Sequence, residues 1–148
     1  MMRVTLGQME TLGAGVAVQL RAGDVVGLSG DLGAGKTTLA RGVLRALGLE
    51  SEAPSPSFAI IQPYAPPETR LNVLHVDLYR IKNPAELGEL GLDEARRDHA
   101  LLIEWPEHMG AHRWDDMLNI RLEWAGDDAR RLTVHAPPSW ESRCRFLK

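Results

Sequence analysis

Residues Gly30-Asp31-Leu32-Gly33-Ala34-Gly35-Lys36-Thr37-Thr38 contain the spacing G-x-x-x-x-G-K-T. Each residue type there answers a need of a bound triphosphate. The glycines let the backbone curl until several N–H groups converge on phosphate oxygens. The Lys36 ammonium can stand beside the β- and γ-phosphates, and the Thr37 hydroxyl can ligate Mg²⁺. A helix opening at this point adds its N-terminal partial positive charge. The run Gly33, Ala34, Gly35, Lys36, Thr37 and Thr38 is therefore expected to hold the phosphates of a nucleotide, with Mg²⁺ beside them.

Two carboxylates have the right placement to serve such a ligand. Asp77 ends the alternating run 71–77, and Glu104 ends the continuous apolar run 100–104. Open α/β sheets bind ligands outside the carboxyl ends of their strands. Mg²⁺ takes one or two carboxylates directly or through water, and hydrolysis needs one to orient the attacking water. Each residue has a plainer reading as a cap on the following turn. Trp105, next to Glu104, reads either as core or as a ligand contact. In Ser55-Pro56-Ser57-Phe58, a hydroxyl can reach γ-phosphate or Mg²⁺ as part of a switch; a rigid proline turn entering a strand is the competing reading.

These residues need a strand before the glycine loop and a helix after it. The sequence supplies both: an apolar strand over 24–29, and a helix over 37–47 whose apolar residues Leu39, Ala40, Val43, Leu44 and Leu47 share one face, closed by Gly48. An earlier helix is expected over 10–20, with a short strand or lead-in at 4–6. Residues 51–56 are expected to be a breaker-rich, mobile connection, 58–61 a strand and 63–69 a loop. Short helices follow at 84–90 and 93–98. The strands 117–124 and 130–136 form a hairpin about a Gly126-Asp127 turn. This order predicts an α/β fold of the P-loop NTPase type, a three-layer sandwich about a mixed, mainly parallel sheet. The 148 residues fit one domain.

The composition narrows the function. A net charge of −3 gives no overall nucleic-acid-binding surface. Arg96-Arg97, Arg130-Arg131 and the stretch 143–148 read as solvated faces or tail. The single Cys144 excludes an internal disulfide, and no apolar run reaches membrane-spanning length. The N-terminus lacks a secretory pattern, so the expected compartment is the cytoplasm. Pro106 and Gly110 argue against one helix carrying His108 and His112 to zinc, and no Asn-Lys-x-Asp guanine-reading motif is present.

Four separated motifs together resemble the TsaE (YjeE) family. They are the glycine loop, Ser55-Pro56-Ser57-Phe58, His75-Val76-Asp77-Leu78-Tyr79-Arg80 and Ile103-Glu104-Trp105-Pro106-Glu107. The stretch Glu10-Thr11-Leu12-Gly13 is similar to the family's opening helix, and the similarity spans roughly 8–108. The resemblance implies an ATPase that supports N6-threonylcarbamoyladenosine formation in tRNA. Its partner would be the TsaD–TsaB pair, in which TsaD transfers the threonylcarbamoyl group. Lys36 would hold phosphates, and Thr37 would bind Mg²⁺. Glu104 would be the carboxylate near the metal and Asp77 the other acidic residue, with Thr11 and Trp105 near ATP. Where the family usually has Ser-Pro-Thr, this chain has Ser57, which keeps the hydroxyl and lacks the methyl.

From the residues alone, two other classes stay open. A small-molecule kinase would use the same loop, although no arginine-rich lid insertion is present. A nucleotide-gated binding module would dock on ATP with hydrolysis incidental. A chain this short has no room for a large lid, so water stays in its site and hydrolysis is expected to be slow without a partner surface. Arg80 reads as an internal arginine finger or, more simply, a salt bridge.

Overall fold

The apolar runs found in the sequence assemble into one twisted sheet. A computed structural model describes residues 2–51, 60–126 and 128–147. Its strands are β1 (Met2–Thr5), β2 (Val25–Ser29), β3 (Ile61–Tyr64), β4 (Val73–Asp77), β5 (Ala100–Glu104), β6 (Leu118–Trp124) and β7 (Ala129–His135). Its α-helices are α1 (Met9–Gln19), α2 (Lys36–Ala46) and the single turn α3 (Leu92–Ala95). The seven strands lie in the order β1-β7-β6-β2-β5-β4-β3.

The ladders β6–β2, β2–β5 and β5–β4 are parallel, whereas β1–β7, β7–β6 and β4–β3 are antiparallel. The sheet is thus parallel at its centre and antiparallel at both edges, which corrects the expectation of a mainly parallel sheet. Parallel neighbours need a crossover of a dozen or more residues. The chain supplies such crossovers around β2 and β5, but joins β3 to β4 and β6 to β7 by short connections that allow only antiparallel pairing.

Alternation along the central strands divides the core between two faces. Val26, Leu28, Leu102 and Ile120 pack with Leu39, Val43 and Leu44 of α2 and Leu12 and Val16 of α1. Val25, Leu101, Ile103 and Val76 pack on the other face against Leu87, Leu92 and Met109. That second layer consists of α3 and the 3-10 segments Pro84–Leu90 and Pro106–His112 in place of full helices. The two long helices touch through glycine. A Cβ placed on Gly13 would lie 2.7 Å from the Gly42 carbonyl carbon and the Val43 nitrogen.

Several local expectations shift. The strand expected at 58–61 is Ile61–Tyr64 and takes in Pro63, expected to be loop; residues 58 and 59 lie outside the described residues. Proline is tolerated because β3 is an edge strand. The helix expected at 93–98 is only the turn Leu92–Ala95. Most of the 51–56 connection and Asp127 of the hairpin turn also lie outside the described residues. The basic stretches are not simply solvated. Arg96 donates to the Gly23 carbonyl and to Asp116, and Arg143 pairs with Asp24 while stacking 3.9 Å from the Trp140 ring centre. Among the described residues, no helix is long and apolar enough to cross a membrane.

Candidate functional site

The end of β2 feeds directly into the glycine loop, and the loop feeds α2. Gly30, Gly33 and Gly35 have φ of 141°, 78° and 108°, values that favour glycine. At Gly30 a side chain is excluded outright, because its Cβ would lie 2.3 Å from the Leu122 carbonyl oxygen of β6. The loop curls back over Lys36, the first residue of α2. The Lys36 Nζ donates to the Gly30 carbonyl at 2.5 Å and the Asp31 carbonyl at 2.9 Å, and it lies 4.3 Å from the Trp105 ring centre. Burial pushes this ammonium below the ordinary lysine value, against the opposing pull of Glu104, Glu107, Asp77 and Asp31. A desolvated cation surrounded by carbonyl oxygens and an aromatic face suits an anionic partner.

The parallel register places Asp77 opposite Glu104 at the ends of β4 and β5, next to the β2 end that launches the loop. Both are buried, with Glu104 only 2% exposed. The Glu104 Oε1 accepts the Thr37 hydroxyl at 2.8 Å, and its Oε2 stands 2.6 Å from His75 Nε2. Asp77 Oδ1 accepts the Tyr79 amide at 2.9 Å, the turn-capping role that the sequence allowed. Trp105 turns the chain out of β5 with φ 62° and ψ 50°, a left-handed conformation uncommon for a bulky residue. Its ring packs on Tyr79 and His108, with centroids 5.1 and 5.5 Å apart.

Behind the loop lies a cation that the sequence reading assigned to a solvated face. Arg130, on β7, is 2% exposed. Its Nε donates to the Ala34 carbonyl at 3.0 Å and its Nη2 to the Gly33 carbonyl at 3.4 Å, while the guanidinium stacks 3.7 Å from the Trp124 ring centre. Drawing the Ala34 carbonyl toward Arg130 turns the Gly35 N–H of the same planar peptide the opposite way. The resulting cleft, about 320 Å³, is lined by Gly33, Gly35, Lys36, Thr37, Thr38, Asp77, Tyr79, Glu104, Trp105 and Arg130, with Leu6 and Leu32 at its rim.

The model of the family described as "Threonylcarbamoyl adenosine biosynthesis protein TsaE" matches residues 4–132. The chain belongs to the TsaE family. That match runs past the 8–108 similarity seen in the motifs and takes in β7 with Arg130. Among curated TsaE proteins, named as tRNA threonylcarbamoyladenosine biosynthesis proteins, the one from Streptomyces coelicolor is 38% identical over 85% of this chain and 88% of its own. That of Rickettsia typhi is 44% identical over 80% of this chain and 81% of its own. The crystal structure of Bacillus subtilis YdiB superposes with a TM-score of 0.81 at 31% identity, covering 99% of this chain and 91% of the other.

In this TsaE-family chain, Lys36, Thr37, Thr38, Asp77, Glu104 and Trp105 converge on one cleft, as do Gly33 and Gly35. Ala34 is buried beneath the loop. Thr11 is exposed on α1 and is not among the cleft-lining residues; the N-terminal segment contributes Leu6 instead. Ser57 lies outside the described residues. Arg80 is exposed in the turn after β4. Among the described residues, no group of three or more His, Cys, Asp or Glu is arranged to hold a metal. That leaves Mg²⁺ chemistry open, because Mg²⁺ needs only one or two carboxylates and takes its remaining oxygens from phosphate and water.

Proposed function

We propose that this chain binds Mg-ATP in the cleft and hydrolyses it in support of tRNA N6-threonylcarbamoyladenosine biosynthesis, as a P-loop ATPase of the cytoplasm. The observation that carries the reading is the Thr37–Glu104 pair at the mouth of the glycine loop, 2.8 Å between oxygens. Thr37 and Glu104 would hold Mg²⁺ there, supplying the hydroxyl and carboxylate oxygens that this hard cation takes alongside phosphate and water. Bound Mg²⁺ would supply charge neutralisation at the β- and γ-phosphates. Lys36 leaves its loop carbonyls for the phosphates, and Gly35 with its neighbours offers N–H groups at the positive end of α2. Glu104 and Asp77 share the tasks of holding the metal or its waters and orienting the attacking water.

Among the described residues, none forms a large lid over the cleft. Its rim carries Leu32 at 66% and Tyr79 at 48% exposure, and a partner surface closing there would exclude water. The TsaD–TsaB pair is the proposed partner, with any contact to tRNA made indirectly through it. An arginine supplied in this way is worth roughly 10³–10⁵ in rate. Glu104→Gln tests the assignment. ATP binding is retained and single-turnover hydrolysis falls at least tenfold. A wild-type hydrolysis rate in this variant overturns the role given to Glu104.

A further inference from the structure

His75 is buried beside Glu104 and has no place in the ATP chemistry described above. It sits mid-strand in β4, on the face that carries Val73 and Asp77, and its side chain is 0% exposed. The register sets His75 opposite Leu102, so Glu104, two residues on, is its diagonal neighbour on the same face. The contact is 2.6 Å from Nε2 to Oε2. On its other side, His75 Nδ1 is buried with no hydrogen-bond partner among the described residues.

These two facts assign the ring's tautomer. The Glu104 carboxylate accepts and cannot donate, so the proton of the short contact belongs to Nε2. Among the described residues, a second proton on Nδ1 would find no acceptor. His75 therefore carries its hydrogen on Nε2 and a lone pair on Nδ1. Glu104 then has one donor for each oxygen: Thr37 for Oε1 and His75 for Oε2. Without His75 the carboxylate could turn about its terminal torsion, which is broad, and Oε1 would no longer be held at the Thr37 hydroxyl.

We infer that His75 is a positioning residue for the cleft: it fixes the Glu104 carboxylate so that Oε1 faces Thr37, and so sets the geometry of the cation site without touching the nucleotide. This rests on the reading of Glu104 as the metal-side carboxylate. Partners that hold a ligating carboxylate from behind are worth roughly 10–100-fold in activity or metal affinity.

The test separates positioning from packing. His75→Leu fills the core without a donor, and His75→Gln carries an amide N–H that reaches the Nε2 position. Single-turnover ATP hydrolysis by the full chain should fall 10–100-fold in His75→Leu, with ATP affinity in the absence of Mg²⁺ within threefold of wild type. His75→Gln should recover at least tenfold of a hundredfold loss. A packing role predicts the reverse order, with the leucine variant at least as active as the glutamine one, and that result overturns the inference. An independent readout needs no variant of His75: two-bond ¹⁵N–¹H couplings should show the Nε2–H tautomer in the wild-type protein, and an Nδ1–H pattern refutes it. If Glu104→Gln hydrolyses at the wild-type rate, the reading of Glu104 has failed. If that variant is inactive and both His75 variants keep the wild-type rate, only the role of His75 has failed.

Discussion

Replacing Arg130 by methionine keeps a long apolar stem over Trp124 and removes the guanidinium that grips the glycine loop from behind. The bond to the Ala34 carbonyl, at 3.0 Å, is a full charge-assisted hydrogen bond, whereas that to the Gly33 carbonyl, at 3.4 Å, is weak. One such bond is worth about 1.5–3 kcal/mol net. The variant also avoids the desolvation of a buried cation, which returns part of the loss. A net cost of about 1–2 kcal/mol falls on the loop's ordered conformation, equivalent to roughly 5–30-fold weaker ATP binding. Titration calorimetry with Mg-ATP measures it, with cooperative urea unfolding as the check that the fold survives. Arg130→Lys separates the causes, because lysine keeps the charge and loses the planar fork. If the fork sets the loop, the lysine variant weakens alongside the methionine one. ATP affinity within twofold of wild type in Arg130→Met refutes the reasoning.

Two further outcomes follow from packing and from charge. Gly13→Ala places a methyl 2.7 Å from the backbone of α2, so a change that ordinarily favours a helix instead lowers stability, by about 1–3 kcal/mol in urea unfolding. Lys36 has a folded-state pKa below its unfolded value. Between those two values the unfolded chain binds more protons, so the stability of ligand-free wild type relative to Lys36→Met rises as pH increases through that window. Paired unfolding curves on either side of it measure the slope, and a difference that falls with pH contradicts the burial of the ammonium.

What could be read in the residues was the part with local signals. The glycine spacing, the helix period after Lys36 and the short apolar runs ending in Asp77 and Glu104 each lie within one segment. Their positions relative to one another follow from strand ends meeting at one edge. Arg130 was not legible, because its partners lie 96 and 97 residues away and an Arg-Arg pair looks solvated until a register assigns one to each face. It shares a face with Leu132, which was the available signal. His75 likewise stood among inward-facing residues of an alternating strand, but only the β4–β5 register could pair it with Glu104. The parallel content was overestimated because apolar runs do not report strand direction. The left-handed turn at Trp105 has no signal in residue type, since tryptophan rarely adopts it.

The most direct test of the central claim is ATP hydrolysis by this chain alone and then with purified TsaD–TsaB, with Lys36→Ala as the blank. The account predicts slow turnover alone, stimulation by at least tenfold with the pair, and loss of both in the variant. Turnover by the isolated chain that already equals that of the mixture, or stimulated turnover that persists in Lys36→Ala, would contradict it.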